Sequence, residues 1–262
     1  MTNQALQVAR SGLDAQNRRM QVIANNLANV NTTGFKRDRA SFENLAYQQI
    51  VAAGTSSSAE NKYATGLNLG TGVQMTGTER IGTQGSITTT GNSLDLAIEG
   101  SGFFQVQMPD GRTAYTRAGN FSLSPEGTIV TGNGMPLQPQ IQVPQGATSI
   151  SVGTDGTVTA IVAGQSAPTE LGKVETARFV NDAGLQPIGD NLLLESASSG
   201  APQTGAAGLE GRGSIRSGAL ESSNVNVVEE LVDMIETQRA YEVNSKMIQA
   251  ADEMMRNANQ QL

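Results

Sequence analysis

Both ends of this chain carry apolar residues at alternating steps of three and four, the two ends are oppositely charged, and everything between them reads as strand and turn. Near the N-terminus the stripe is Leu6, Ala9, Leu13, Met20, Ile23, Leu27 and Val30, with Gln16 as its one polar interruption. Near the C-terminus it is Val228, Leu231 and Ile235, then Val243, Met247, Ala250 and Met254, with Gln238, Tyr241 and Ile248 beside it. Such spacing gives a helix a narrow apolar seam that has to find another helix. Residues 1–39 hold six basic side chains (Arg10, Arg18, Arg19, Lys36, Arg37, Arg39) against Asp14 and Asp38, whereas residues 221–262 hold three basic against eight acidic. The ends are matched for pairing with each other and with copies of themselves. That pattern points to assembly and away from catalysis.

Composition narrows the chemistry. A chain of 262 residues allows one large domain or two smaller ones. Hydrophobic residues are 37% and aromatics 4%, with no Trp, so any core is modest, and 30 glycines suit a turn-rich β protein. Cysteine and histidine are both absent. This excludes disulfides, Cys/His zinc sites and every Ser-His or Cys-His nucleophile. No catalytic, cofactor-binding or metal-ligating set is expected. A formal charge of −7 argues against nucleic acid, which needs a concentrated basic surface. Asn3, Gln4, Gln7, Arg10 and Asp14 interrupt any signal-like apolar run, and no stretch approaches the ~20 apolar residues of a membrane span. The expectation is export without a cleaved signal peptide, and no membrane insertion.

Along the chain, the first helix is expected from Thr2 or Asn3 to about Val30, stopped by Asn31-Thr32-Thr33-Gly34, with Gly34 free to turn left-handed. Residues 54–66 form a polar stretch that composition alone reads as a flexible linker. Strands are expected at 73–80, 94–98, 103–108, 112–117, 128–131, 150–152, 157–162, 174–180 and 192–195. Pro109-Asp110-Gly111, Ser124-Pro125-Glu126-Gly127, Thr154-Asp155-Gly156 and Asp182-Ala183-Gly184 supply turn signals between them. The second helix starts after Asn226, where Glu229 three residues on makes a capping box, and runs for about 34 residues. The expected fold class is α+β: long terminal helices pairing as a coiled-coil-like bundle, with a central antiparallel all-β domain. Its boundaries fall at 1–34 (inner-core helix), 35–73 (extended linker and hairpin region), 74–217 (β domain) and 218–262 (inner-core helix).

Residues 24–36 read Ala-Asn-Asn-Leu-Ala-Asn-Val-Asn-Thr-Thr-Gly-Phe-Lys. Asn25, Asn26 and Asn29 are costly in a helix, since Asn favours caps and turns. They mark either a fraying end or carboxamides that bond neighbouring helices or backbone. With Ser11 and Met20 upstream, this stretch, including Leu27, Thr33, Gly34, Phe35 and Lys36, resembles the N-terminal signature of the bacterial flagellar rod and hook family. Ser222-Ser223-Asn224-Val225 and the run Gln238 to Lys246 resemble that family's closing helix. Asp95 to Phe104 and Tyr115-Thr116-Arg117-Ala118-Gly119-Asn120-Phe121 look like its β-domain hallmarks. The likeness covers nearly the whole chain.

Within the family, chain length and the 47–72 segment, with Tyr47, Tyr63, Leu67, Leu69, Gly70 and Gly72, resemble distal-rod members more than hook members. The resemblance implies a structural subunit that stacks with itself into a stiff hollow tube, transmits torque and passes exported subunits through its bore. It also implies a rod location spanning the periplasm, neighbours among proximal rod, hook and hook-junction proteins, surrounding P and L rings, and export by the flagellar type III apparatus. By the same analogy residues 54–66 become an ordered contact between subunits, and the termini fold only on assembly. Three rivals stand beside this: another axial protein of the family, a β-rich adhesin or binding module, and a glycan-acting enzyme using carboxylates such as Asp95, Glu99, Asp110 and Asp155. Asp110 and Asp155 lie in turn signals that already account for them.

Overall fold

The computed structural model describes residues 2–55, 64–163 and 167–260. It is α+β, with helix α1 over Thr2–Ala28, helix α2 over Val227–Gln260, and antiparallel strands between them. Asn226 sits outside the first turn of α2 and its Oδ1 accepts the Val228 amide at 3.1 Å. That is the N-cap geometry its sequence position predicted. Glu229 and Glu230 place negative charge where the helix dipole favours it.

The chain divides into two compact units. The first comprises Met1–Leu27, Asp38–Glu79 and Asn226–Leu262; the second comprises Ala28–Arg37 and Arg80–Val225. In the first, Asp38–Asn44 pairs with Val73–Arg80, and Tyr47–Val51 pairs with Leu67–Gly70 as a two-stranded ribbon. Strand Val73–Arg80 is thus partnered by the segment following α1. The Val73 amide donates to Ser11 Oγ at 3.3 Å, which ties α1 to that strand.

The second unit carries the hydrophobic core. A seven-stranded sheet runs in the order Gln186–Gly189, Leu192–Leu194, Thr113–Thr116, Phe103–Gln107, Glu175–Arg178, Gln203–Ala206, with Leu137–Gln138 also pairing on Phe103–Gln107. Leu96, Ile98, Phe104, Val106, Phe121, Ile129, Leu137 and Ile215 fill one cluster; Phe103, Tyr115, Phe179, Leu185 and Leu193 fill another. Phe104 meets Phe121 edge to face at 5.2 Å, and Tyr115 meets Phe179 at 4.7 Å. Such pairs add about 0.5–1.5 kcal/mol beyond burial.

Three of the four expected turns close hairpins. Gln107 faces Thr113, Leu123 faces Ile129, and Val152 faces Val158 across them. The fourth does not. Asp182–Gly184 is a short 3₁₀ turn, and the strands it joins pair elsewhere: Glu175–Arg178 with Phe103–Gln107 and Gln203–Ala206, Gln186–Gly189 with Leu192–Leu194. Burial of Phe179 and Leu185 on either side draws this corner into the second cluster, and that outweighs the local preference for a hairpin.

Candidate functional site

The first unit is assembled from two helices whose facing surfaces are small and polar. Buried in α2 are Glu230, Thr237 and Ala251, with Asn244 half-buried, at steps of seven. Buried in α1 are Ala9, Ala15, Ile23 and Asn26. The two helices meet through Asn26 Nδ2 and Glu230 Oε2 at 3.2 Å, and through Arg19 and Asp233 at 3.4 Å. A Cβ on Gly12 would lie 3.1 Å from Asn244 Nδ2. Rising numbers on one helix meet falling numbers on the other, so they run antiparallel. Asn26 also donates to the Asp38 carbonyl and accepts the Asp38 amide, both at 2.9 Å. A residue unfavourable for helix propensity is held here as a three-way junction, which is the second of its two sequence readings. Asn25 is exposed on the helix; Asn29 lies in the turn beyond its end and accepts the Thr32 hydroxyl at 3.1 Å.

The sequence-derived stripes are placed unequally. In α1, Ala9 and Ile23 are buried, and Leu6, Leu13, Met20 and Leu27 are half-buried; Val30, just beyond the helix, is half-buried as well. In α2, the stripe is largely exposed: Val228 and Ile235 lie opposite the buried heptad, whereas Tyr241, Met247 and Met254 flank it, three residues from Asn244 or Ala251. Val228 is 70% exposed, Leu231 42%, Ile235 50%, Tyr241 41%, Val243 58%, Met247 55% and Met254 62%. Gln238 is exposed too, and Ile248 is half-buried. Val232 extends the apolar face, at 51%. The inner seam escaped sequence reasoning because it is a heptad of small and polar residues, and the search was for apolar ones.

The ribbon is also uncovered. Tyr47 is 62% exposed, Leu67 49% and Ile50 49%; Leu69 is half-buried. Tyr47 pairs with Gly70, and Gly72 accepts the Leu45 amide at 2.9 Å. Tyr63 lies outside the described residues. An isolated two-stranded ribbon is marginal in water.

In the second unit, residues of the N-terminal signature enter a buried charge cluster. Lys36 Nζ donates to Glu221 Oε1 at 2.5 Å and to the Thr83 carbonyl at 2.8 Å. Arg117 Nη1 lies 3.2 Å from Glu221 Oε2, Nη2 donates to the Gly100 carbonyl at 2.7 Å, and the guanidinium stacks over Phe103 at 5.4 Å. Burial pulls both cations below their ordinary pKa values, opposed by Glu221. Gly34 has φ +70, and a Cβ there would lie 2.6 Å from the Arg117 carbonyl carbon. Phe35 is half-buried beside it, and Thr33 accepts a hydrogen bond from Asn191 Nδ2 at 3.0 Å. Ser11 and Met20, the upstream members of the signature, remain on α1 in the first unit. Sequence reasoning missed Glu221, and it used Arg117 and Asn224 only as members of motifs. The available signal was that a lone Glu adjoins one of the matched segments.

Nothing in this arrangement converges on a reaction centre. Among the described residues there is no group of three or more Asp/Glu able to hold a metal, and no helix is long and apolar enough to cross a membrane. The comparisons are decisive. Residues 6–36 match the family model "Flagella basal body rod protein", 97–160 match "Flagellar hook protein FlgE/F/G D1 domain", and 216–261 match "Flagellar basal body rod FlgEFG protein C-terminal". The flagellar basal-body rod protein FlgG of Buchnera aphidicola (subsp. Acyrthosiphon pisum) is 51% identical over 98% of both chains. This chain belongs to the flagellar basal-body rod protein family. FlgG of Caulobacter vibrioides is 47% identical over 98% of both chains, whereas FlgF of the same bacterium is 36% identical over 98% of this chain and 97% of its own. The subunit is a structural protein of the flagellar distal rod, not an enzyme, and it acts in motility.

Proposed function

We propose that this rod subunit polymerises through its first unit into a stiff, hollow helical tube that carries torque from motor to hook and passes exported subunits along its bore. One observation carries the reading: α2 buries Glu230, Thr237 and Ala251 in its own chain and leaves Val228, Ile235, Val243, Met247 and Met254 half or more exposed. An ordinary surface helix is arranged the other way. Covering that face recovers roughly 25 cal/mol per Å² removed from water, and an exposed apolar stripe of this length marks an interaction surface.

In this reading the stripe of α2 packs against the helices of sister subunits as a coiled-coil-like bundle, and residues 1–34 and 218–262 form the tube's inner layer. Basic α1 and acidic α2 favour mixed pairing, as specificity more than strength, because exposed ion pairs contribute about 0–1 kcal/mol each. A head-to-tail contact that does not close gives an open helix of subunits. The 47–72 ribbon, with Tyr47, Leu67 and Leu69, serves as the rod-type contact that stiffens the tube, the 74–217 region forms its outer wall, and the P and L rings surround it. Export proceeds by the flagellar type III apparatus without a cleaved signal, past proximal rod proteins and ahead of hook proteins. Electron microscopy of concentrated full-length protein is expected to show straight tubes. Curved tubes would assign the chain a hook-like role, and a compact monomer at every concentration would end the proposal.

A further inference from the structure

Three segments far apart in sequence meet at one carboxylate. Lys36 ends the N-terminal signature, Arg117 lies in the Tyr115–Phe121 hallmark, and Glu221 immediately precedes the Ser222–Val225 motif. Glu221 is 1% exposed, yet Oε1 accepts from Lys36 Nζ and from the Gly85 amide at 3.0 Å, while Oε2 faces Arg117. Its backbone carbonyl accepts the Gly34 amide at 2.8 Å. Three residues on, Asn224 repeats the device. Its Oδ1 accepts the Arg37 amide at 2.7 Å, and its Nδ2 donates to the Ile81 carbonyl at 2.9 Å and the Thr83 carbonyl at 3.0 Å. Gly85 must be glycine, because a Cβ would sit 1.9 Å from the Ser222 carbonyl oxygen.

These bonds grip the β unit at both places where the chain leaves it, after Arg37 and after Val225. They do so by direction and not by apolar burial, although both hydrophobic clusters lie within the same unit. A buried ion pair is weak evidence for stability, since well-packed apolar residues often replace it at no loss; its best-attested use is to select one register among several. The geometry points to Glu221, with Lys36, Arg117 and Asn224, as the positioning lock that holds the two exits of the β unit in the single register required for polymerisation. This rests on the rod-subunit reading. The lock never touches a neighbour in that scheme; it acts through the segments it holds.

The test uses full-length protein with Lys36→Met, Arg117→Leu and Glu221→Leu together, which removes all three charges so that none is left buried without its partner. The thermal midpoint is expected to stay near wild type. Amide exchange at Gly34, Arg37 and Asn224 in the monomer is expected to accelerate about tenfold or more, as local opening no longer requires breaking the lock, and the yield of tubes should fall in parallel. Wild-type exchange and wild-type tube yield in the triple variant would overturn the inference. Should that variant not fold, Glu221→Asp keeps the charge and withdraws the carboxylate by one methylene; it must show the same faster exchange, and unchanged protection would be fatal. If wild-type protein forms no tubes, the polymer reading is what fails, and the exchange measurement still decides the lock.

Discussion

The two units of this subunit use apolar side chains in opposite ways. In the β unit, Phe104, Leu96, Ile98 and Val106 are at most 1% exposed and interlock within one chain. In the helical unit Ile23 is the one large apolar residue among the described buried positions, which otherwise go to Ala9, Ala15, Asn26, Glu230, Thr237 and Ala251, and Val228, Ile235, Val243 and Met247 stay in water. Small buried residues release little hydrophobic free energy on folding, at about 25 cal/mol per Å². One unit therefore buries its large apolar residues within the monomer, and on the proposed reading the other keeps most of its own for neighbouring subunits. The difference separates the stability of the subunit from the stability of the assembly, and mutations can address each alone.

The largest effects come from striking either side of that divide. Ile235→Asp and Met247→Asp together place charge on the outer face of α2 and are expected to abolish tubes. They should leave the urea midpoint of the monomer within about 0.5 kcal/mol of wild type, as exposed substitutions usually do. Phe104→Ala does the reverse: it opens a cavity against Phe121 and should cost about 3–5 kcal/mol of monomer stability. If the α2 variant instead unfolds the monomer, the outer face is covered within one chain and the comparison collapses.

Next in size is Gly34→Ala. Positive φ alone costs a non-glycine residue about 1–3 kcal/mol, and the new Cβ would meet Arg117 backbone, which has no flexible end to move. Chemical denaturation should place the loss in the β unit. A variant as stable as wild type would mean that the Thr33–Lys36 segment can part from the Arg117 backbone freely.

How far the chain could be read before its structure follows the same line. The hairpins at Asp110-Gly111 and Asp155-Gly156 were legible because turn chemistry is local, and Asn226 was legible as a cap for the same reason. Polar edge strands such as Thr169–Lys173 and Gln203–Ala206 were not, since they carry no alternation and exist only because a neighbouring strand offers hydrogen bonds. The stripe from Val228 to Met254 could be listed from its spacing, but its exposure could not, because the buried heptad Glu230, Thr237, Asn244, Ala251 is not apolar. Glu221 was invisible for a stronger reason. Its role comes from Lys36 and Arg117, which lie 185 and 104 residues away, and no local pattern encodes such a meeting.

The finest probe is Asp182, on the 3₁₀ turn Asp182–Gly184. Its Oδ1 is buried without a hydrogen-bond partner. Burial raises its pKa above the ordinary 3.8, against the attraction of Arg117, Arg178 and Lys36, which lowers it. A carboxyl whose folded pKa is raised adds stability that is complete below the unfolded value and is lost as pH climbs through the folded one. At neutral pH the charged form is therefore the burdened one. Asp182→Asn removes that burden and should raise the urea midpoint at pH 7 by less than about 1 kcal/mol, the side chain being only half-buried. The gain should close as pH falls below 3.8, where the Asp is neutral in both the folded and the unfolded chain. A loss at pH 7 would show that the three cations outweigh desolvation, and that Asp182 belongs to the charge balance around Glu221 instead of opposing it.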